Sequence, residues 1–259
     1  MQIATFNING VKARLQTVLD WLDAAAPDVA LLQEIKSVDE AFPRAPFEDR
    51  GYNLKTHGQK GFNGVAILSK YPLEDVRRGL PGDDEDSQAR WIEATVIDKR
   101  AVRLCGLYLP NGNPAPGPKY DYKLAWMARL EARARELLAT EEPLVLAGDY
   151  NVIPQDEDAA RPEAWARDAL ALPETRAAFR RLLNLGFTEA FRARVQGPGH
   201  YSFWDYQAGA WNRNDGIRID HMLLSPQAAD LMTGCRIESE LRAGEKPSDH
   251  VPVWLSLDA

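Results

Sequence analysis

The chain has 259 residues, 45% of them hydrophobic, which suits one large domain over residues 1–259 with a substantial core. No apolar run approaches the roughly 20 residues of a membrane helix, and a net charge of −7 argues against a non-specific nucleic-acid coat protein, which is usually basic. The total does not exclude a DNA enzyme, because local fields outweigh net charge.

From its first residues the chain enters a strand directly, with no basic region or apolar core of a leader. Residues 2–8 alternate into that strand, which ends at Asn7. A helix begins at Asn9 or Gly10 and carries Val11, Leu15, Val18, Leu19 and Leu22 on one face. Pro27 precedes a second strand, Val29 to Leu32, which ends at Gln33 and Glu34. Further strands are expected at 52–57, 64–69, 90–97 and 102–109, the spacing of sequential antiparallel neighbours. Between them, Asp83 to Asp86 reads as a solvated acidic run. Residues 120–139 form the strongest helix, with Leu124, Met127, Leu130, Ala134 and Leu137 inward and Arg129, Arg133 and Arg135 on a basic face. A strand at 143–148 follows, then a helical stretch within 155–185. Strands near 200–205, 217–224, 233–239 and 251–257 complete the chain. Many strands, few long helices and both sheet types point to an α/β fold with two packed mixed β-sheets flanked by helices. Cys105 and Cys235 stand singly with no metal or redox spacing, so free thiols and a reducing, cytoplasmic location are expected.

The chemistry gathers where apolar runs end. Asp149 and Asn151 close the run Pro143 to Ala147, and an acid and an amide two positions apart on a strand share one face. Such a pair can hold a divalent metal and a water together. Asn7, Glu34, Asp220, Asp249 and His250 occupy comparable positions. Each alone is explained as well by a cap, a turn or a surface charge; jointly they read as the site of a metal-assisted phosphodiesterase. Carboxylates and amides suit a hard cation such as Mg²⁺. Asp249 and His250 are consecutive, so on extended backbone their side chains diverge. Asp220 is then the expected partner of His250, and Asp249 is free to face a metal.

Seven ordered motifs carry a resemblance. They are Asn7-Ile8-Asn9-Gly10, Leu32-Gln33-Glu34, Gly58 to Ile67, Tyr108 to Asn111, Gly148-Asp149-Tyr150-Asn151, Arg218-Ile219-Asp220 and Lys246 to His250. In this order and over essentially the whole chain they resemble the exonuclease III family of apurinic/apyrimidinic (AP) endonucleases, within the wider endonuclease/exonuclease/phosphatase superfamily. The resemblance implies a four-layered α/β sandwich that uses Mg²⁺, or Mn²⁺, to cleave double-stranded DNA beside abasic sites and to clear nucleotides or blocking groups from 3′ ends. It implies metal-site roles for Asn7, Glu34, Asp149, Asn151, Asp249 and His250. Tyr108, Asp149, Asn151, Asp220 and His250 become the catalytic set, in which Asp149 either takes the proton of the attacking water or holds the metal. It also implies substrate contacts at Lys60 and Asn111, and an apolar slot for a base-free sugar from Phe203, Trp204, Ile217 and Ile219. Some relatives carry tryptophan where Ile217 stands, which widens the slot here. Lys12, Arg14, Lys119, Arg213 and Lys246 are further candidates for phosphate contacts, and the working unit is expected to be a monomer without membrane partners. The alternatives are a superfamily phosphatase or phospholipase acting on a non-DNA phosphoester, and a silent binding module; the second would be expected to have lost ligands that this chain retains.

Overall fold

The computed structural model describes residues 1–259. Its strands in chain order are β1 (Gln2–Asn7), β2 (Val29–Gln33), β3 (Asn53–His57), β4 (Val65–Ser69), β5 (Leu73–Arg78) and β6 (Trp91–Ile97). Then come β7 (Ala101–Tyr108), β8 (Leu144–Asp149), β9 (Thr188–Glu189), β10 (Asp220–Leu224), β11 (Met232–Ile237) and β12 (Val253–Leu257). The helices are α1 (Val11–Ala25), α2 (Ala45–Glu48), α3 (Pro118–Leu138), α4 (Pro162–Trp165), α5 (Pro173–Asn184) and α6 (Pro226–Asp230).

The strands form two six-stranded sheets, ordered β11-β12-β1-β2-β4-β3 and β5-β6-β7-β8-β10-β9. Each has one parallel pair at its centre, β1 with β2 and β7 with β8, and antiparallel partners outside it. A parallel pair needs a crossover, and α1 and α3 supply them. These central strands read as unbroken apolar runs because both of their faces are covered. Ile3, Leu31, Ile67, Leu104, Val145 and Met222 meet between the sheets. The alternate residues Ala4, Phe6 and Leu32 turn outward onto Val18, Leu19 and Leu22 of α1. On the other side Leu107, Leu144 and Leu146 turn outward onto α3 and Phe179 of α5. The period of two along each strand thus builds four layers, the sandwich expected from the sequence.

The central strands were legible; the surface elements were not. β5 is a solvated edge strand whose mixed polar sequence, Leu73 to Arg78, has no apolar alternation to detect. The helical stretch expected within 155–185 is met by α5, with the single turn α4 ahead of it. α5 starts where it does because Pro173 opens it and disfavours helical backbone at Leu172. The expected strand at 200–205 reduces to bridges from Phe203 to Ile217 and His250, β10 starts only at Asp220, and β12 starts after Pro252, which lacks the N–H a ladder needs. The basic face of α3 is largely neutralised: Arg133 reaches buried Glu93 at 2.8 Å and Arg129 reaches Asp86 at 2.8 Å. Asp86 is therefore a structural anchor rather than part of a solvated run, and it also accepts from the Tyr122 hydroxyl.

One buried ionic cluster fixes the start of β10. Arg218 Nε donates to Asp158 at 2.8 Å and its Nη1 to Glu189 at 3.0 Å, while Arg192 closes on the same Asp158 oxygen. Burial works to raise the Glu189 carboxyl, but Arg218 and His221 overcome it and bring it down to about 2. A depressed carboxyl contributes stability above its unfolded value of 4.5 and loses it as pH falls toward about 2. Replacing Glu189 with Gln leaves Arg218 partly unpaired, so urea unfolding at pH 7 is expected to show a loss of roughly 3–5 kcal/mol. The gap between wild type and E189Q should narrow steadily from pH 5 to pH 2. A gap independent of pH would mean that the Glu189 charge contributes nothing.

Candidate active site

The topology delivers the polar strand ends to one edge of the sandwich. Asn7 closes β1, Glu34 follows β2, and Asp149 closes β8. Asp220 opens β10 directly opposite Asp149 in the antiparallel register, and His250 precedes β12 beside the end of β1. Gly148 makes the approach possible, since a Cβ there would lie 1.9 Å from the Leu107 carbonyl oxygen. Just past the strand ends the backbone turns left-handed, at Asn9 (φ 48), Glu34 (φ 50) and Asn151 (φ 48). Two of these turns are tied by side chains: Asn9 N–H donates to Asn7 Oδ1 at 3.0 Å and Asn151 N–H to Asp149 Oδ1 at 2.9 Å. Asp149 and Asn151 do converge, but through this turn and not through a continuing strand.

His250 Nδ1 lies 2.8 Å from Asp220 Oδ2, the pairing that the divergence of residues 249 and 250 implied, and its Nε2 is 3.6 Å from Asp149 Oδ2. Ser202 Oγ donates to the same Asp220 oxygen at 2.6 Å and accepts from the backbone of Ile219 and Asp220. Burial works to lower the His250 imidazolium, yet the carboxylates of Asp220 and Asp149 raise it to about 10. Burial pushes the Asp149 carboxyl up, His250 opposes that, and the Asp220 charge adds to it. Asp220 Oδ1 is buried with no hydrogen-bond partner. An orphaned carboxylate oxygen among buried acids is the signature of a place that suits a cation.

Glu34 sits on the other side of Asn7. Asn7 Nδ2 donates to Glu34 Oε1 at 2.9 Å and to Asp149 Oδ2 at 3.0 Å, so one amide spans two carboxylates. Its own oxygen is engaged by Asn9, which leaves Asn7 an orienting donor in this geometry. Burial tends to raise Glu34, but the Asn7 bond and Lys36, at 2.9 Å, hold it below the usual range. Asn9 links the two sides by donating to Asp249 Oδ1 and accepting from Lys36. Asp149, Asp220 and His250 offer atoms within 4.8 Å of one another, as a metal site would require. His250, however, is engaged as an ion pair with Asp220, so the oxygens of Glu34, Asp149 and Asp249 are the better donors for a hard cation.

These residues floor a cleft of about 230 Å³ walled by Tyr108, Asn111, Asn151, Phe203, Ile217 and Ile219. Asn151 is held by Asn111 and the Leu109 carbonyl. Burial, with Glu34 and Asp149, pushes the Tyr108 phenol well above its usual range, so it stays a donor. Two expected contacts lie elsewhere. Trp204 is buried behind the cleft, its Nε1 donating to Asn214, because neighbouring residues on extended backbone face opposite ways and Phe203 takes the cleft side. Lys60 is exposed on its loop, outside the cleft walls. Trp165 and Leu170 line the cleft and were not foreseen, for they lie in an irregular segment with no periodicity. Lys123 was also missed: fully buried on α3, it donates to the backbone carbonyls of Asn111 and Asn151.

Residues 4–250 match the endonuclease/exonuclease/phosphatase family. The chain is 36% identical to exodeoxyribonuclease III of Haemophilus influenzae, with 98% of each chain covered. It is similar to a solved 3′ phosphatase from Neisseria bound to a product DNA hairpin, at 38% identity and a TM-score of 0.96 over 100% of both chains. An AP endonuclease from Archaeoglobus fulgidus matches at 34% identity and a TM-score of 0.93, again over 100% of both.

The His250–Asp220 pair predicts a titration. His250 is raised from 6.5 to about 10, so its stabilising contribution is complete below pH 6.5 and is lost as pH rises through about 10. In metal-free protein followed by NMR, the His250 imidazolium should persist well past pH 8, whereas Asp220→Asn should lower its midpoint by about one unit or more. An unchanged midpoint in the variant would remove Asp220 as the group that holds the charge.

Proposed function

The chain belongs to the endonuclease/exonuclease/phosphatase family, and from that premise we propose that it is a DNA-repair phosphodiesterase of the exodeoxyribonuclease III type. Its substrates in this reading are duplex DNA with abasic sites, cleaved on the 5′ side, and 3′ ends bearing nucleotides or blocking groups. The observation that carries the reading is the Asp149–Asp220–His250 cluster, roofed on one side by an apolar wall and joined on the other to Glu34 through Asn7. No helix is long and apolar enough to cross a membrane. In our reading the chain works as one domain and as a monomer, since a single copy carries all of these side chains.

The site chemistry follows from the charges. A phosphodiester in the cleft faces the His250 imidazolium, whose charge is fixed by Asp220 and lies where a non-bridging oxygen gains negative charge. Asp149 has its carboxyl raised by burial and therefore suits a general base for the attacking water. In this reading the Tyr108 phenol and the Asn111 amide, which line the cleft, donate to phosphate oxygens. A divalent cation, Mg²⁺ by the hardness of the Glu34 and Asp249 oxygens, would supply Lewis-acid polarisation of the phosphoryl group, and Asp149 would hold it only where it does not act as the base. Phe203, Ile217 and Ile219 form an apolar wall against which a sugar without its base can rest.

Asp149→Asn keeps shape and removes the base, so single-turnover cleavage of a duplex with one abasic analogue should fall about 10²–10⁴-fold. A drop of less than about tenfold would dismiss Asp149 as base or essential ligand. Glu34→Gln should weaken Mg²⁺ binding by calorimetry with the melting temperature of the metal-free protein little changed. Equal metal affinity in both proteins would dismiss Glu34 as a ligand.

A further inference from the structure

Beside the cleft lies a second cavity of about 250 Å³ that the proposed reaction does not use. The two share three wall residues, Trp165, Phe203 and Asp205. Phe203 is the hinge of the arrangement. Its ring packs edge-on against His250 at 5.0 Å between centroids, and its backbone bridges both Ile217 and His250. Trp165 packs with it on the Ile217–Ile219 cluster while remaining partly exposed. Arg161 and Arg213 line the far side and both pair with Asp215, so two guanidinium groups are held at the rim. Together the cavities fall within the roughly 300–1,000 Å³ of small-ligand sites.

We propose that this second cavity seats the base of the nucleotide whose phosphate lies at His250; the inference rests on the nuclease reading above. A base-free sugar needs only the first cleft, whereas a normal 3′-terminal nucleotide must also place a planar base. Aromatic rings and guanidinium planes are surfaces on which any base can stack. Trp165 and Phe203 supply the first kind, and Arg161 and Arg213 the second. The cavity thus assigns a nucleobase subsite, tolerant of base identity, to the removal of intact nucleotides.

Filling the cavity tests this. Ala164 lines it and is exposed on the short helix α4, so Ala164→Trp adds bulk without disturbing a core, and Ala164→Ser is the control of size. Three single-turnover rates are compared at saturating Mg²⁺: release of a 3′-terminal nucleotide, release of phosphate from a 3′-phosphate end, and incision at a tetrahydrofuran abasic analogue. Ala164→Trp should slow nucleotide release about tenfold or more, the scale of losing one base stack. The two base-free reactions should stay within about twofold of wild type, and Ala164→Ser should leave all three rates unchanged. Nucleotide release unaffected by the tryptophan, or all three rates falling together, overturns the base subsite. Wild-type protein that hydrolyses none of the three substrates overturns the nuclease reading itself.

Discussion

Asp149 and Asp220 face each other across two antiparallel strands, both buried, and the rest of the site answers that constraint. Two like charges in a low-dielectric interior are unfavourable unless each finds positive charge or strong donors. The structure provides His250 between them, Ser202 on Asp220, and the Asn7 amide and Asn151 N–H on Asp149. One oxygen of Asp220 is still left unpartnered. An apolar pair in these positions would be cheaper for folding. What the acids give instead is an imidazolium held in its charged form and a set of buried oxygens that suits a cation.

A net charge of −7 does not by itself decide how the chain meets a polyanion, because attraction is local. Much of its positive charge is consumed internally, as Arg218, Arg133 and Arg129 show by their burial against Asp158, Glu93 and Asp86. The cations near the cleft are paired as well: His250 with Asp220, Lys36 with Glu34, and Arg161 and Arg213 with Asp215. Attraction at the scale of a Debye length depends on those groups and not on the sum over the surface.

The central strands were readable because burial on both faces leaves an apolar run that nothing else mimics, as at Val29 to Leu32 and Leu144 to Ala147. The polar residues that end those runs were readable only as a set, since a cap, a turn or a surface charge explains each one alone as well. Register was not readable. That Asp220 stands opposite Asp149 follows from the pairing of β10 with β8, which no local pattern encodes. Trp204 was misplaced by grouping it with Phe203 in one aromatic run, although alternation sends the two to opposite sides. Trp165 had no pattern at all, because α4 is a single turn inside an irregular segment.

A division of labour follows from where each kind of residue sits. The charged side chains of the cleft stand at the ends of strands locked in two six-stranded sheets, where a small displacement would break several bonds at once. The apolar side chains of the cleft wall, Trp165, Leu170, Phe203, Ile217 and Ile219, stand on loops and short helices between β8 and β10, held by a few contacts such as Ile153 N–H to the Leu170 carbonyl. The buried ion cluster of Arg218, Asp158 and Glu189 joins the two regimes, since it pins the segment that carries Ile217 and Ile219 directly ahead of Asp220. Substitutions in the irregular segments can therefore reshape the cleft wall while leaving the charged floor intact. Changes at the strand ends have no such freedom, because every acid there is balanced by a specific neighbour.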